Sequence, residues 1–377
     1  MSTRRQIFNK GLFLWAAVIF ITGCATGKLD QKDTESAGMY ENRGLALAKK
    51  GDYEGAISEY NKALDLNPKL ATAYNNRGIA HHMKRRYDEA ISDYNRALEI
   101  DPDYSDAYFN RGTAYGYKGK NDEAISDFNR SLELNPNRSE AYNNRGLTFA
   151  HKGDYDRAVS DYDKALQMNP KNANAYNNRG FIYSMKGDYD RALSDYIKAL
   201  EIKPNDALAY RNLAVAYERK GMNDQAIVNY SRALELNPKD ASSYNSRGFV
   251  LFKKGELNKA ISDFSKALEL SPKYVLAYLN RALALERKGK YDQAISDLNK
   301  ALDIDPVSVD KIISDPKTAL GADPKDARLN FVKALLFEKL SRVSEAIEAY
   351  KKFIENSPPD YSTYVEWARQ KIRVLEK

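Results

Sequence analysis

Apolar and small residues return at helical spacing along most of this chain, and the pattern itself returns every 34 residues. Each 34-residue block holds two amphipathic stretches separated by short polar segments, which predicts two helices per block. Pro68, Pro102, Pro136, Pro170, Pro204, Pro238, Pro272 and Pro306 hold the frame. With that proline as position 32, the first block is 37–70 and the eighth ends at 308. Position 4 is Tyr in all eight blocks, position 8 is Gly or Ala, and position 20 is Ala; position 24 is Tyr, Phe or, once, Leu298. Position 27 is Ala except at Ser131. Small side chains at 8, 20 and 27 let two antiparallel helices approach, and the aromatics at 4 and 24 fill the space between one pair and the next. Gly at position 15 ends the first helix, where a left-handed residue is wanted. Arg85 takes that place in the second block and predicts a less tight turn. Asn-Pro or Asp-Pro in most blocks ends the second helix, because the residue before proline avoids helical angles.

A copied unit of 34 residues resembles the tetratricopeptide repeat, with Tyr in place of Trp at position 4. The resemblance covers 37–308 and implies an all-α, right-handed α-α superhelix with an open inner groove. Residues 327–360 form a ninth, worn unit: Ala334, Ala346, Tyr350 and Pro358 match positions 8, 20, 24 and 32, while Asn330 and Phe353 depart from the pattern. Residues 309–326 are expected to be a truncated unit that lost its first helix, with Asp315-Pro316 able to start a short helix. Residues 361–377 read as a capping helix with a polar outer face.

Arg4, Arg5 and Lys10 precede an apolar run, 11–21, too short to span a bilayer but suited to export. The run ends Ile21-Thr22-Gly23-Cys24, which resembles the bacterial lipoprotein signal. That resemblance implies a cleaved signal peptide, 1–23, lipid on Cys24, and, with Ala25 following, the periplasmic face of the outer membrane. Residues 24–36 are polar and without period, so a flexible tether is expected there. Cys24 is the single cysteine, which excludes an internal disulfide.

The formal charge is +7, reduced to about +4 without the signal's three basic residues, and the charges alternate along the helices. Nucleic-acid binding would need a clustered basic stripe with exposed aromatics, and none is present. The three histidines, His81, His82 and His151, do not form a chelating or nucleophilic set. Adjacent helical side chains diverge by about 100°. No catalysis, cofactor, metal or small-molecule substrate is therefore expected.

Arg at position 7 and an acid at position 23 occur together in seven blocks and are lost together in the sixth, as Leu213 and Asn229. The joint loss predicts an ion pair between helices. Position 6 is Asn42, Asn76, Asn110, Asn144, Asn178, Asn212 and Asn280. The family resemblance places these in the groove, where each could pair with the amides of an extended peptide; alternatively, they bond the neighbouring helix. Positions 12 and 13 vary, and His82, Tyr117 and Phe252 are further candidates for partner contact. The expectation is a non-catalytic scaffold, anchored by lipid to the bacterial envelope and docking proteins or extended peptides. The alternative is an assembly factor for envelope polysaccharide export, or for pilus or secretion-channel biogenesis.

Overall fold

The computed structural model describes residues 31–314, 327–357 and 359–377. The chain divides into two compact units, the first ending at Pro204 and the second beginning at Asn205. In the first unit the helices are α1 (Gln31–Lys49), α2 (Tyr53–Leu66), α3 (Ala71–Met83), α4 (Tyr87–Ile100), α5 (Ser105–Tyr117), α6 (Asn121–Leu134), α7 (Ser139–His151), α8 (Tyr155–Met168), α9 (Ala173–Met185) and α10 (Tyr189–Ile202). In the second they are α11 (Ala207–Arg219), α12 (Asn223–Leu236), α13 (Ala241–Lys253), α14 (Leu257–Leu270), α15 (Val275–Arg287), α16 (Tyr291–Ile304), α17 (Pro306–Ser314), α18 (Ala327–Lys339), α19 (Val343–Asn356) and α20 (Ser362–Leu375), with a 3₁₀ turn at Pro359–Tyr361 before the last. Each repeat is an antiparallel pair, and within each unit's run of regular repeats the second helix packs on the first helix of the next repeat.

Position 20 alanines such as Ala56, Ala90 and Ala124 are fully buried, and the position 24 rings Tyr60, Tyr94, Phe128, Tyr162 and Tyr196 lie beside them in the first unit. A ring of this size buried from water contributes roughly 1.5–3 kcal/mol. Ser131 replaces the usual alanine, and its buried hydroxyl is satisfied by the Ser105 hydroxyl 3.1 Å away. The Asn-Pro ends also have a local cause beyond the proline: Asn67 Oδ1 accepts from Lys69 N at 3.0 Å and Asn169 Oδ1 from Lys171 N at 3.0 Å, turning the chain back toward the next helix.

Three expectations change. Residues 31–36 are not a free tether; they are the first turns of α1. No Gly or Pro interrupts Gln31–Ser36, so a helix nucleated by the first repeat propagates backward cheaply. The eighth repeat does not close like the others, because Pro306 opens α17 directly after Asp305. Proline suits the first helical position, and Asp305 caps the helix by accepting from Ser308 N at 3.0 Å. The truncated unit thus begins with a helix; the Asp315-Pro316 start lies outside the described residues. Arg85 does not loosen its turn. It adopts φ 60°, like Gly51 at 83° and Gly119 at 73°, and Arg86 N reaches His81 O at 2.9 Å as Lys120 N reaches Tyr115 O at 2.9 Å. The left-handed conformation costs a residue with a Cβ about 1–2 kcal/mol, which the packed helices on either side outweigh.

Candidate partner-binding surface

The position 7 arginines are pins, as the joint loss in repeat six implied. Arg77, Arg111, Arg145 and Arg179 in the first unit, and Arg247 and Arg281 in the second, each grip the position 23 aspartate of the same repeat with two nitrogens, at 2.6–3.0 Å. The third guanidinium nitrogen donates to position 25 of the preceding repeat: Arg111 to Asn95 at 2.7 Å, Arg281 to Ser265 at 2.9 Å. Each guanidinium also lies over its own position 4 ring, at 5.4 Å for Arg111 and Tyr108. One arginine thus ties three helices together with charge-assisted bonds. The hydrogen bonds it donates to Asp195 hold the Arg179 guanidinium even further above its ordinary value. The first repeat is the exception: Arg43 lies over Tyr40 at 5.6 Å, and Glu59 accepts from Lys62. In the sixth, Leu213 is buried and Asn229 turns to the Gln225 carbonyl at 2.8 Å.

The asparagine ladder is a correction. Asn110, Asn144, Asn178 and Asn280 are buried and do not stand open to a guest. Each Nδ2 donates across to the first helix of the repeat before: Asn110 to Asn75 at 2.9 Å, Asn178 to Asn143 at 3.1 Å, Asn280 to Asn245 at 3.0 Å, and Asn144 to Thr113 at 3.4 Å. Asn76 is half-buried and donates to Glu41 at 3.1 Å. Asn42 remains exposed and Asn212 half-buried. Successive first helices approach so closely that position 6 meets position 5 of its neighbour, and the amides are consumed in that contact.

Positions 12 and 13 form a row of their own. In three repeats the position 13 side chain reaches back over position 12 of the preceding repeat. Tyr117 meets His82 edge-on with ring centroids 5.0 Å apart, Lys253 pairs with Glu218 at 3.1 Å, and the Arg287 guanidinium sits 4.3 Å above the Phe252 ring. At these three places the variation is not free; it runs in matched pairs, aromatic with aromatic, acid with base, ring with cation. That pairing, one repeat apart, was the signal available in the sequence and missed there. Tyr87 was missed too: it stacks on Tyr117 at 5.2 Å and closes the cluster around His82.

In the first unit this row carries no charge from Met83 to Met185. Burial pulls the His82 imidazole down to about 4, so it is neutral near pH 7. Burial lowers His151 in the same direction. Met83 is 45% exposed. His81 turns elsewhere, to 3.8 Å from Asp93, so the two adjacent histidines serve different surroundings. Cys24 lies outside the described residues. No described helix is long and apolar enough to cross a membrane.

The family described as TPR repeat matches residues 38–84 and 250–289. Families described as tetratricopeptide repeat match 109–173 and 317–361, 71–104 and 275–306, 171–239, and 229–262. The chain is a tetratricopeptide-repeat protein. A tetratricopeptide repeat protein from Parabacteroides merdae shares this fold, with a TM-score of 0.51 and 24% identity over 67% of this chain and 99% of that one. PilF of Pseudomonas aeruginosa does so at a TM-score of 0.51 and 20% identity, over 56% of this chain and 97% of its own. YrrB, described as a TPR protein with an unusual peptide-binding site, is 28% identical over 48% of this chain and 93% of its own, with a TM-score of 0.43. No curated protein matches the sequence. As a tetratricopeptide-repeat array the chain is a protein-interaction scaffold, a fold that offers extended surface and is generally non-catalytic.

Proposed function

We propose that this tetratricopeptide-repeat protein docks an uncharged, apolar or aromatic segment of a partner protein along the position 12 and 13 row of its first unit, while lipid on Cys24 holds it at the periplasmic face of the outer membrane. One observation carries the docking reading. Ion pairs line other faces of the same unit, as in Lys186–Asp156 at 2.6 Å, yet the row of Met83, Tyr117, His151 and Met185 bears no charge. Methionine is flexible and polarizable, so it adapts to a guest of irregular shape. The reading in which exposed rings receive sugars of an envelope polymer is weaker, because Arg287 already covers the Phe252 face.

Peptides selected from a random library on the full-length chain should be neutral and rich in aromatic and aliphatic residues. Met83→Glu combined with Met185→Glu should weaken them by about tenfold or more, the equivalent of one strong contact. Selection of acidic peptides indifferent to those two changes would refute the docking site. The anchor is tested separately: fatty-acid labelling and membrane fractionation should both be lost in Cys24→Ala, and labelling that survives this change would refute lipidation there.

A further inference from the structure

We infer that the second unit contains a binding site for a phenolic ring, at the place where its eighth repeat lacks the position 24 aromatic. Repeats six and nine show what belongs there. Both have Ala at position 8 and Glu at position 12, and in both the position 24 tyrosine donates its hydroxyl to that glutamate: Tyr230 to Glu218 at 3.0 Å, Tyr350 to Glu338 at 2.7 Å. Repeat eight keeps the alanine, Ala282, and the acid, Glu286, but has Leu298 in place of the tyrosine.

A cavity lies at that position, lined by Ala282, Glu286, Leu298, Phe331, Phe353 and Tyr364 among others. The space is larger than a single water needs. Glu286, Phe331 and Tyr364 are half-buried, so the cavity reaches the surface. Phe331 and Tyr364 meet edge-on, with centroids 6.2 Å apart, and give it an aromatic wall. The ligand class follows from these parts. The walls favour a flat apolar ring. A carboxylate accepts several hydrogen bonds, and Glu286 stands where its two counterparts accept from a phenol. A site built to satisfy a hydroxyl discriminates against the ring that lacks one. This inference stands apart from the docking row, which belongs to the first unit.

The test uses the full-length chain and p-cresol, the tyrosine side chain as a free molecule, with toluene as its control. Calorimetry should show saturable one-to-one binding of p-cresol, at least about tenfold tighter than toluene, as one charge-assisted hydrogen bond implies. Leu298→Tyr, which restores the pattern of repeats six and nine, should abolish p-cresol binding. Leu298→Phe should do so by filling the ring space alone, and serves if the tyrosine variant folds poorly. Glu286→Gln should shrink the preference for p-cresol over toluene. N-acetyl-tyrosine methylamide separates the sources: if it binds, a partner's tyrosine is the natural occupant; if only p-cresol binds, the occupant is a free phenol. Equal affinity for toluene and p-cresol, or p-cresol binding unchanged in both Leu298 variants, would overturn the inference.

Discussion

The two units make the same helix pair from different residues at position 8, and the difference propagates to the surface. In the first unit position 8 is glycine in every repeat, and the position 24 ring lies against it; a Cβ on Gly146 would stand 3.0 Å from the Tyr162 ring. In the second unit Ala214, Ala282 and Ala334 take that position, and each has a glutamate one turn further along the same helix face, at position 12. A methyl group denies the ring its seat, and the displaced hydroxyl finds the acid. Gly248, the one glycine at position 8 in the second unit, is followed by Phe252 and no acid. The acid then requires cations. Glu218 takes Lys253, and Glu338 takes Lys371. The second unit therefore pairs Glu218 and Glu338 with cations, and the first, with no acid to satisfy, presents an uncharged row from Met83 to Met185. A packing choice in the core decides what the surface can bind.

The largest expected effect concerns repeat three set against repeat six. Asp127→Ala leaves the Arg111 guanidinium partly buried and unpaired and should cost about 3–5 kcal/mol. Arg111→Leu with Asp127→Asn copies Leu213 and Asn229 of repeat six and should cost less than half as much. Equal losses in denaturant melts would show that the pin is not one cooperative unit.

His82 sharpens the contrast between neutral and charged rows. Below pH 6.5 the unfolded chain takes up a proton that folded His82 refuses until about pH 4, so stability is lost as the pH falls through that window. The loss approaches about 3 kcal/mol at its lower end. His82→Phe should flatten the fall in melting temperature between those two pH values, and an unchanged slope would assign the neutrality of the row elsewhere.

A smaller effect tests the origin of the difference directly. Gly146→Ala should cost about 1–2 kcal/mol, the overpacking against Tyr162 being partly offset by better helix propensity. The Tyr162 hydroxyl is buried and has no hydrogen-bond partner among the described residues. Adding Ala150→Glu supplies the acceptor that repeats six and nine have, so the double variant should be more stable than the sum of the two changes by about 1 kcal/mol. Simple additivity would break the link between positions 8, 12 and 24. The smallest effect belongs to Arg85→Gly, which removes the left-handed strain but adds freedom to the unfolded chain, and should stabilise by less than about 1 kcal/mol.

Helix pairs were legible because the small and aromatic positions recur with the period, and the arginine pin was legible because Leu213 and Asn229 changed together. The asparagine ladder stayed open between two readings because one amide type serves a groove or a helix contact equally well, and only the distance between first helices decides between them. Residues 31–36 and 306–314 were misread for a related reason: each lies at or beyond an end of the regular array, so its state depends on the helix it abuts. The pairing of position 12 with position 13 of the next repeat was present in the sequence, but it becomes a signal only once the two are known to touch.

The account rests on the neutral row of the first unit being the face that receives a partner. Photocrosslinking side chains placed singly at 83, 117 and 185, and at 219, 253 and 287, in the full chain in living cells, test this most directly. Protein adducts should form from the first three sites and be absent or weak from the second three. Adducts formed chiefly from 219, 253 and 287 would contradict it.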